Sequence, residues 1–424
     1  MTNDIRTAQA GPRILQVSWE FPPVVVGGLG RHVGALTAAL RAHGADVRVL
    51  ARAADGQPSG PYPEAGATTL RAAPGPPYFA FSELLLAWVQ SFNHSLRRTA
   101  AAHLSEPIDL VHAHDWLVAP AAVALAREYG VPLVSTIHAT EAGRHLGWLP
   151  KPLNRTIHQT EGWLARASAQ VITCSRQMRD EVLRLHEIDP TRVRVIPNGI
   201  DLAEWRRPSG AQRRRGAPTL VYAGRLVHEK GVQDLIAALP AIRKAVPGTR
   251  LVVAGTGKTE AALREQVATL RLKTAVDFRG HLEPAQLRKV MSGADLAVVP
   301  SRYEPFGIVA LEFTALGVPL VVTEVGGLGE YAARTGSPTV SAGEPAALAT
   351  AVIAALGDAT TSRAQASRAL GVLASDFSWP VIARDTAATY DEALCVQNVA
   401  PPHVIDRHVE PAGGNLLYGA SRFS

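Results

Sequence analysis

The sequence predicts an α/β protein of two doubly wound domains facing a central cleft. Three observations lead there. Short apolar runs alternate with amphipathic stretches along most of the 424 residues, the pattern of a parallel sheet covered by helices on both faces. The alternation occurs twice, interrupted by a stretch rich in proline, glycine and arginine. The length leaves room for two or three cores at roughly 150 residues per domain.

In chain order, the strands of the first half are predicted at Ile14 to Ser18, Val47 to Ala51, Leu110 to His114, Leu133 to His138, Val171 to Ser175 and Val193 to Pro197. Asp55 to Pro77 is rich in proline and glycine and reads as a loop carrying one short strand near Thr68 to Ala72. The periodicity breaks at Pro197-Asn198-Gly199 and again over Arg206 to Pro218, placing a hinge there. The scheme resumes at Leu220 to Gly224, Leu251 to Gly255, Val276 to Gly280, Leu296 to Pro300 and Leu320 to Thr323. The tail after Gln397 is polar and is expected to be flexible.

Composition narrows the function classes. With 43 basic and 37 acidic residues the net charge is +6, and hydrophobics at 47% mark a globular chain rather than a disordered one. Arginine supplies most of the basic excess. Apart from Arg213-Arg214-Arg215, read as a solvated linker, it is dispersed, so no nucleic-acid partner is expected. Two cysteines, Cys174 and Cys395, rule out a disulfide framework and are expected as buried small hydrophobes. The start lacks the apolar core of a signal peptide, and the longest apolar stretch, Ile308 to Thr323, contains Glu312. A cytoplasmic protein without a transmembrane segment is the expectation.

In doubly wound sheets, ligands bind beyond the carboxyl ends of the strands, so motifs at those ends carry the functional weight. Glu304-Pro305-Phe306-Gly307-Ile308 follows one such strand. Pro305 keeps Glu304 out of a helix, and a helix beginning at Gly307 carries Glu312 inward. Free amides at Phe306, Gly307 and Ile308 would bind an anion, and Glu312 would accept the hydroxyls of a ribose. From spacing alone, two unrelated surface acids fit equally well.

Gly224-Arg225-Leu226 through Lys230-Gly231 ends another strand and offers two cations to one anion, although solvated loop charges have the same signature. Trp19-Glu20 through Gly27-Gly28-Leu29-Gly30 is a glycine loop before a helix, but its spacing is not the dinucleotide fingerprint. His112-Ala113-His114-Asp115-Trp116 ends a third strand. Its two histidines share a strand face, yet no third metal ligand is evident from spacing, and packing or hydrogen bonding is the favoured role. His138, ending a fourth strand, suits the cleft or the core equally. No Asp-x-Asp occurs, so metal-free chemistry is expected.

Together these segments resemble the retaining glycosyltransferases of the glycogen-synthase-like kind, with the GT-B fold, from about Arg13 to Leu394. The most specific elements are Glu304 and Glu312 with seven residues between, the Gly224-Arg225 to Lys230-Gly231 segment and His112-Ala113-His114-Asp115-Trp116. Thr136-Ile137-His138-Ala139-Thr140-Glu141 looks like bacterial α-1,4-glucosyltransferases that build glycogen-like or methylglucose polysaccharides.

The resemblance implies Rossmann-like domains at residues 1–197 on the acceptor side and 198–378 for the nucleotide-sugar, a final helix at 379–396 crossing back, and a tail from 397. It implies that Arg225 and Lys230 hold a diphosphate, Glu312 the ribose, and the Phe306, Gly307 and Ile308 amides the sugar and phosphates. Glu304 lies by the donor sugar, Gly27 and Gly28 close over the phosphates, and Gly280-His281-Leu282 meet the base. His138 and Asp115 face the reacting sugar, with Glu20, Asp115 and Trp116 toward the acceptor.

The expected catalytic set is Asp115, His138, Arg225, Lys230 and Glu304. The donor is UDP- or ADP-glucose, a substrate rather than a cofactor, and the acceptor an α-1,4-glucan or related oligosaccharide. Departures from the family pattern occur at Gly255-Thr256-Gly257-Lys258, where an acid is usual, and at Ala333 to Pro338, which looks rearranged and shortened. Competing readings are the same enzyme with a sugar phosphate, phosphoinositide or small metabolite as acceptor, a hydrolase or phosphorylase using Glu304 and Glu312, and a non-catalytic carbohydrate binder.

Overall fold

A computed structural model of the chain describes residues 11–64, 67–75, 81, 84–207 and 216–397. The Arg213 to Arg215 run and the tail beyond Gln397 lie outside them.

The first lobe is an eight-stranded sheet in the order β3-β4-β2-β1-β5-β6-β7-β8. Its strands are β1 Arg13–Ser18, β2 Asp46–Arg52, β3 Gly60–Glu64, β4 Ala67–Ala72, β5 Leu110–His114, β6 Leu133–Ile137, β7 Gln170–Thr173 and β8 Val193–Val195. The second is six-stranded, in the order β11-β10-β9-β12-β13-β14. It comprises β9 Thr219–Ala223, β10 Arg250–Ala254, β11 Val276–Gly280, β12 Leu296–Val299, β13 Leu320–Thr323 and β14 Thr339–Val340. All pairings are parallel except β3 with β4.

That antiparallel pair corrects the reading of Asp55 to Pro77 as a loop with a single strand. Pro61 and Pro63 sit within β3, which is tolerated because β3 is the edge of the sheet. A second correction concerns Cys395, which is exposed, whereas Cys174 is buried. Cys395 lies near the end of the last helix, Trp379–Gln397, on its outward side. Its neighbour Ala393 is fully buried.

The lobes join at a double crossing. The Ile200 amide donates to the Phe377 carbonyl at 2.8 Å, and an ideal Cβ on Gly199 would meet the Trp379 ring at 2.5 Å, so only glycine lets the outward and returning chains pass so closely. The Trp379–Gln397 helix then packs Ile382, Ala383, Tyr390 and Ala393 against Ile14, Leu36 and Leu40 of the first lobe. Each fully buried aliphatic contributes about 1.5–3 kcal/mol, which anchors the helix there. A further apolar cluster runs through both lobes, from Ile137 and Cys174 to Phe306, Leu311 and Phe377, and forms the floor between them. Among the described residues no helix is long and apolar enough to cross a membrane.

Candidate active site

Each sheet reverses its direction of growth once, at β1/β5 in the first lobe and at β9/β12 in the second. Such points open a crevice at the carboxyl ends of the strands. Four of the sequence motifs fall on them: Trp19-Glu20 after β1, Asp115-Trp116 after β5, Gly224-Arg225 after β9 and Glu304 to Ile308 after β12.

On the second lobe, Lys230 Nζ lies 2.7 Å from Glu304 Oε2, which also accepts from the Ser301 hydroxyl at 3.2 Å. Three residues further on, Gly307 at φ 97° caps the Ile308–Ala315 helix, so the ion pair stands beside a helix N-terminus. Backbone contacts set this register. The Arg302 amide donates to the Glu229 carbonyl at 2.8 Å, and the Arg302 guanidinium grips Asp234 through two bonds of 2.8 and 2.7 Å. An ideal Cβ on Gly326 would fall 1.9 Å from the Glu304 carbonyl oxygen, and one on Gly327 would meet the Phe306 backbone. Those two glycines permit the β13 loop to close on the Glu304 loop.

Arg225 is half exposed, with its Nη2 3.8 Å from Glu229 Oε1. It stands in the same electrostatic neighbourhood as Glu304. Burial pushes the Tyr222 phenol up, Glu304 pushes it further, and Arg225 pulls it down. The ends of β9, β10 and β11 are tied together, Gly224 N to Ala254 O at 2.9 Å and Gly255 N to Gly280 O at 2.8 Å, so Arg225, Thr256 and His281 share one rim. The departure at Ala333 to Pro338 takes a definite form: Gly336 at φ 69° ends a helix, and β14 follows at Thr339.

The first lobe presents a different surface. Asp115 holds φ 62°, ψ 173°, a region costly for a non-glycine residue. Its Oδ1 accepts the His138 amide at 2.8 Å, fixing the end of β6. Burial raises its carboxyl to about 6. His138 is lowered to about 4 by burial and is therefore neutral at pH 7. It lies beside His114, Nδ1 to Nε2 3.3 Å, and beside the His32 ring, centroids 4.7 Å apart. His112 is engaged at both nitrogens, by Tyr390 at 2.7 Å and Thr136 at 2.8 Å, in the hydrogen-bonding role that spacing favoured. Glu20 is only 3% exposed. Its Oε2 accepts the Val26 and Gly27 amides at 2.7 and 2.9 Å, so it is occupied with shaping the glycine loop. Trp116 is half-buried beside it in sequence to Asp115.

Cross-lobe contacts close the cleft. Arg31 forms an ion pair with buried Glu312. Burial raises the Glu312 carboxyl, and Arg31 draws it back. An ideal Cβ on Gly28 would meet Ile308 Cδ1 at 3.2 Å, so the glycine loop touches the start of the Ile308–Ala315 helix. The Tyr303 hydroxyl donates to Glu181 Oε1 at 3.0 Å and accepts the Thr140 amide at 3.3 Å. The Cys174 thiol is pushed up by burial and then by both Glu304 and Asp115.

Arg31, His32 and Tyr303 were not found from sequence. The signal for the first two was weak: they follow Gly28 within one helical turn. Tyr303 carried no pattern at all.

Comparison with known proteins decides the family. The first lobe matches the Glycosyltransferase Family 4 pattern over residues 26–204, and the second matches Glycosyl transferases group 1 over residues 204–370. The chain is 46% identical to a glycogen synthase of Mycobacterium tuberculosis over 392 residues, 89% of this chain and 94% of that one. The chain belongs to the glycogen-synthase-like family of GT-B glycosyltransferases. This glycosyltransferase is also 30% identical over 405 residues to a D-inositol 3-phosphate glycosyltransferase of an Arthrobacter strain, covering 91% of this chain and 93% of that one. In fold it is similar to a sucrose-phosphate synthase from Thermosynechococcus elongatus, with TM-score 0.78, 24% identity, 91% of this chain and all of that one covered. It is a retaining enzyme that acts on a nucleotide-sugar donor.

Proposed function

We propose that this glycosyltransferase extends an α-1,4-glucan or related oligosaccharide with glucose from UDP- or ADP-glucose, retaining the anomeric configuration. The Lys230 to Glu304 contact beside the Ile308 helix N-terminus carries the reading. It sets an ammonium, a carboxylate and the positive end of a helix within a few ångströms, and the half-exposed Arg225 stands on the adjoining rim. Similarity to a glycogen synthase at 46% identity supports glucose and glucan.

Cleavage of the anomeric bond builds positive charge on the sugar and negative charge on the departing diphosphate. Lys230, Arg225 and the amides of Phe306, Gly307 and Ile308 receive the negative charge, which lowers the barrier because they are in place before it develops. Glu304 holds Lys230 and faces the donor sugar hydroxyls. Glu312 takes the ribose by exchanging its contact with Arg31, and Gly280-His281-Leu282 line the base. His138, neutral and fixed through Asp115, hydrogen-bonds the reacting sugar without adding a charge near a cationic centre. The acceptor hydroxyl approaches on the face the diphosphate leaves, and a phosphate oxygen takes its proton, so no protein nucleophile is required.

The test is release of UDP or ADP from the matching glucose donor with short maltooligosaccharides, with the linkage of the product determined. Donor-dependent elongation through α-1,4 bonds is expected. Nucleotide release that ignores maltooligosaccharides but responds to inositol phosphate or another sugar phosphate would replace the acceptor and leave the donor chemistry standing.

A further inference from the structure

Outside the cleft motifs, the Pro152–Ala167 and Arg176–His186 helices of the first lobe bring together His158, Glu161 and His186. Each offers one ligand atom, and the three atoms lie within 4.8 Å of one another. His158 and Glu161 are three residues apart on one helix and so share a face. His186 comes from the end of the other. An ideal Cβ on Gly162 would sit 2.9 Å from His186 Nδ1, so the absence of a side chain at 162 makes room for the imidazole.

Two facts mark this cluster as a binding site rather than ordinary packing. His158 Nδ1 and His186 Nε2 are buried and have no hydrogen-bond partner among the described residues, and His186 is only 3% exposed. Buried polar atoms left unmatched are costly. Glu161 is 4% exposed and has no cation in contact, its oxygens accepting only the Glu141 amide at 2.9 and 3.2 Å among the described residues. Arg166 faces the cluster, but its Nη1 is directed at the His186 carbonyl oxygen at 3.4 Å.

We propose that His158, Glu161 and His186 bind one divalent transition-metal ion, best matched by zinc, that pins the two helices together. Two imidazoles and a carboxylate are a zinc-type donor set with a fourth position left for water. A dication satisfies both buried nitrogens and neutralises the desolvated carboxylate in one step. The Glu141 amide, already bonded to Glu161, becomes the outer-shell partner of the ligating carboxylate. Glu141 begins the short helix just after His138, so the ion braces the segment behind that residue without entering the reaction. The other imidazole group, His32, His114 and His138, lacks a carboxylate and turns His114 Nδ1 and His138 Nε2 on each other at 3.3 Å.

The experiment uses the full chain without an affinity tag, stripped with a chelator, dialysed and titrated with Co2+ and then Zn2+. One ion per chain is expected, with visible Co2+ absorption of tetrahedral or five-coordinate type that Zn2+ displaces, and a rise in thermal midpoint at one equivalent. His158→Gln should weaken zinc by roughly tenfold or more. His158 is partly exposed, so that variant should keep the circular dichroism spectrum of the parent. Glu161→Gln is the second variant, retaining shape and the acceptor for the Glu141 amide while removing the charge. No saturable binding, or binding that neither variant weakens, would overturn the site. Neither donor nor acceptor enters the measurement, so the result is independent of the glucosyltransferase reading.

Discussion

The two walls of the cleft solve opposite electrostatic problems. The second lobe presents full charges held by opposite charges, Lys230 by Glu304 and Arg302 by Asp234. The first places the half-buried His138 in front of buried His32, His112 and His114, all lowered by burial and therefore uncharged at pH 7. On the proposed function, the second lobe receives the diphosphate and needs cations that are rigid before the phosphate arrives, while the first receives neutral hydroxyls and needs directional hydrogen bonding without net charge. Among the described residues, the Arg31 ion pair with Glu312 is where the first lobe lends a charge to the second.

The largest expected break in this contrast is Lys230→Ala. If Lys230 stabilises the leaving group, kcat should fall on the order of 100-fold to 1000-fold while the acceptor KM changes little. Equal losses in both, from steady-state kinetics on the two substrates, would make Lys230 a structural partner of Glu304 only.

Next is the pH response of the histidine wall. The unfolded chain protonates His138 near 6.5, and the folded chain only near 4. Between those values the unfolded state binds more protons, so stability present above pH 6.5 is lost as pH falls through 4. Asp115 opposes this: raised from 3.8 to about 6, it contributes stability below 3.8 that is lost as pH rises through 6. Glu161 and Glu312, whose carboxyls burial also raises, act in the same sense as Asp115; the lowered histidines, His32, His112, His114, His138, His158 and His186, outnumber these three acids, so the thermal midpoint should drop on acidification from pH 7 to 5. His138→Gln should remove about 2 kcal/mol of that dependence. A midpoint that rises over this range would refute the neutral wall.

Gly326→Ala tests the rigidity of the charged wall. Gly326 has φ 50°, and the added Cβ would strike the Glu304 carbonyl oxygen, so denaturant melts should show a loss of about 1–3 kcal/mol. The smallest effect is expected from Glu312→Gln. If Glu312 takes the ribose hydroxyls, donor KM should rise about tenfold with kcat nearly constant. The same variant frees Arg31, so an unchanged donor KM would assign Glu312 to the cross-lobe latch alone.

Much of the fold was legible because strand ends and helix starts leave local marks. Apolar runs marked most strands of both sheets, and Pro305 with Gly307 marked the start of the Ile308 helix. The β3 edge strand was missed because its prolines break the apolar pattern while an edge position tolerates them. Cys395 was misplaced because its residue type favours burial, whereas packing against the first lobe decides which face of the Trp379–Gln397 helix is covered. At the site, the Glu304 and Glu312 spacing was visible, but their partners were not. Lys230 is 74 residues from Glu304, and Arg31 is 281 residues from Glu312.

The amino-acid order by itself determined the alternation of strands and helices and the chemical types delivered to the strand ends, since both follow from side-chain periodicity and backbone preferences over a few residues. Only the tertiary structure decided which charge neutralises which, and that the rings of His32, His112, His114 and His138 lie against one another. Those outcomes depend on distance and dielectric between segments far apart in the chain, quantities that local sequence does not encode.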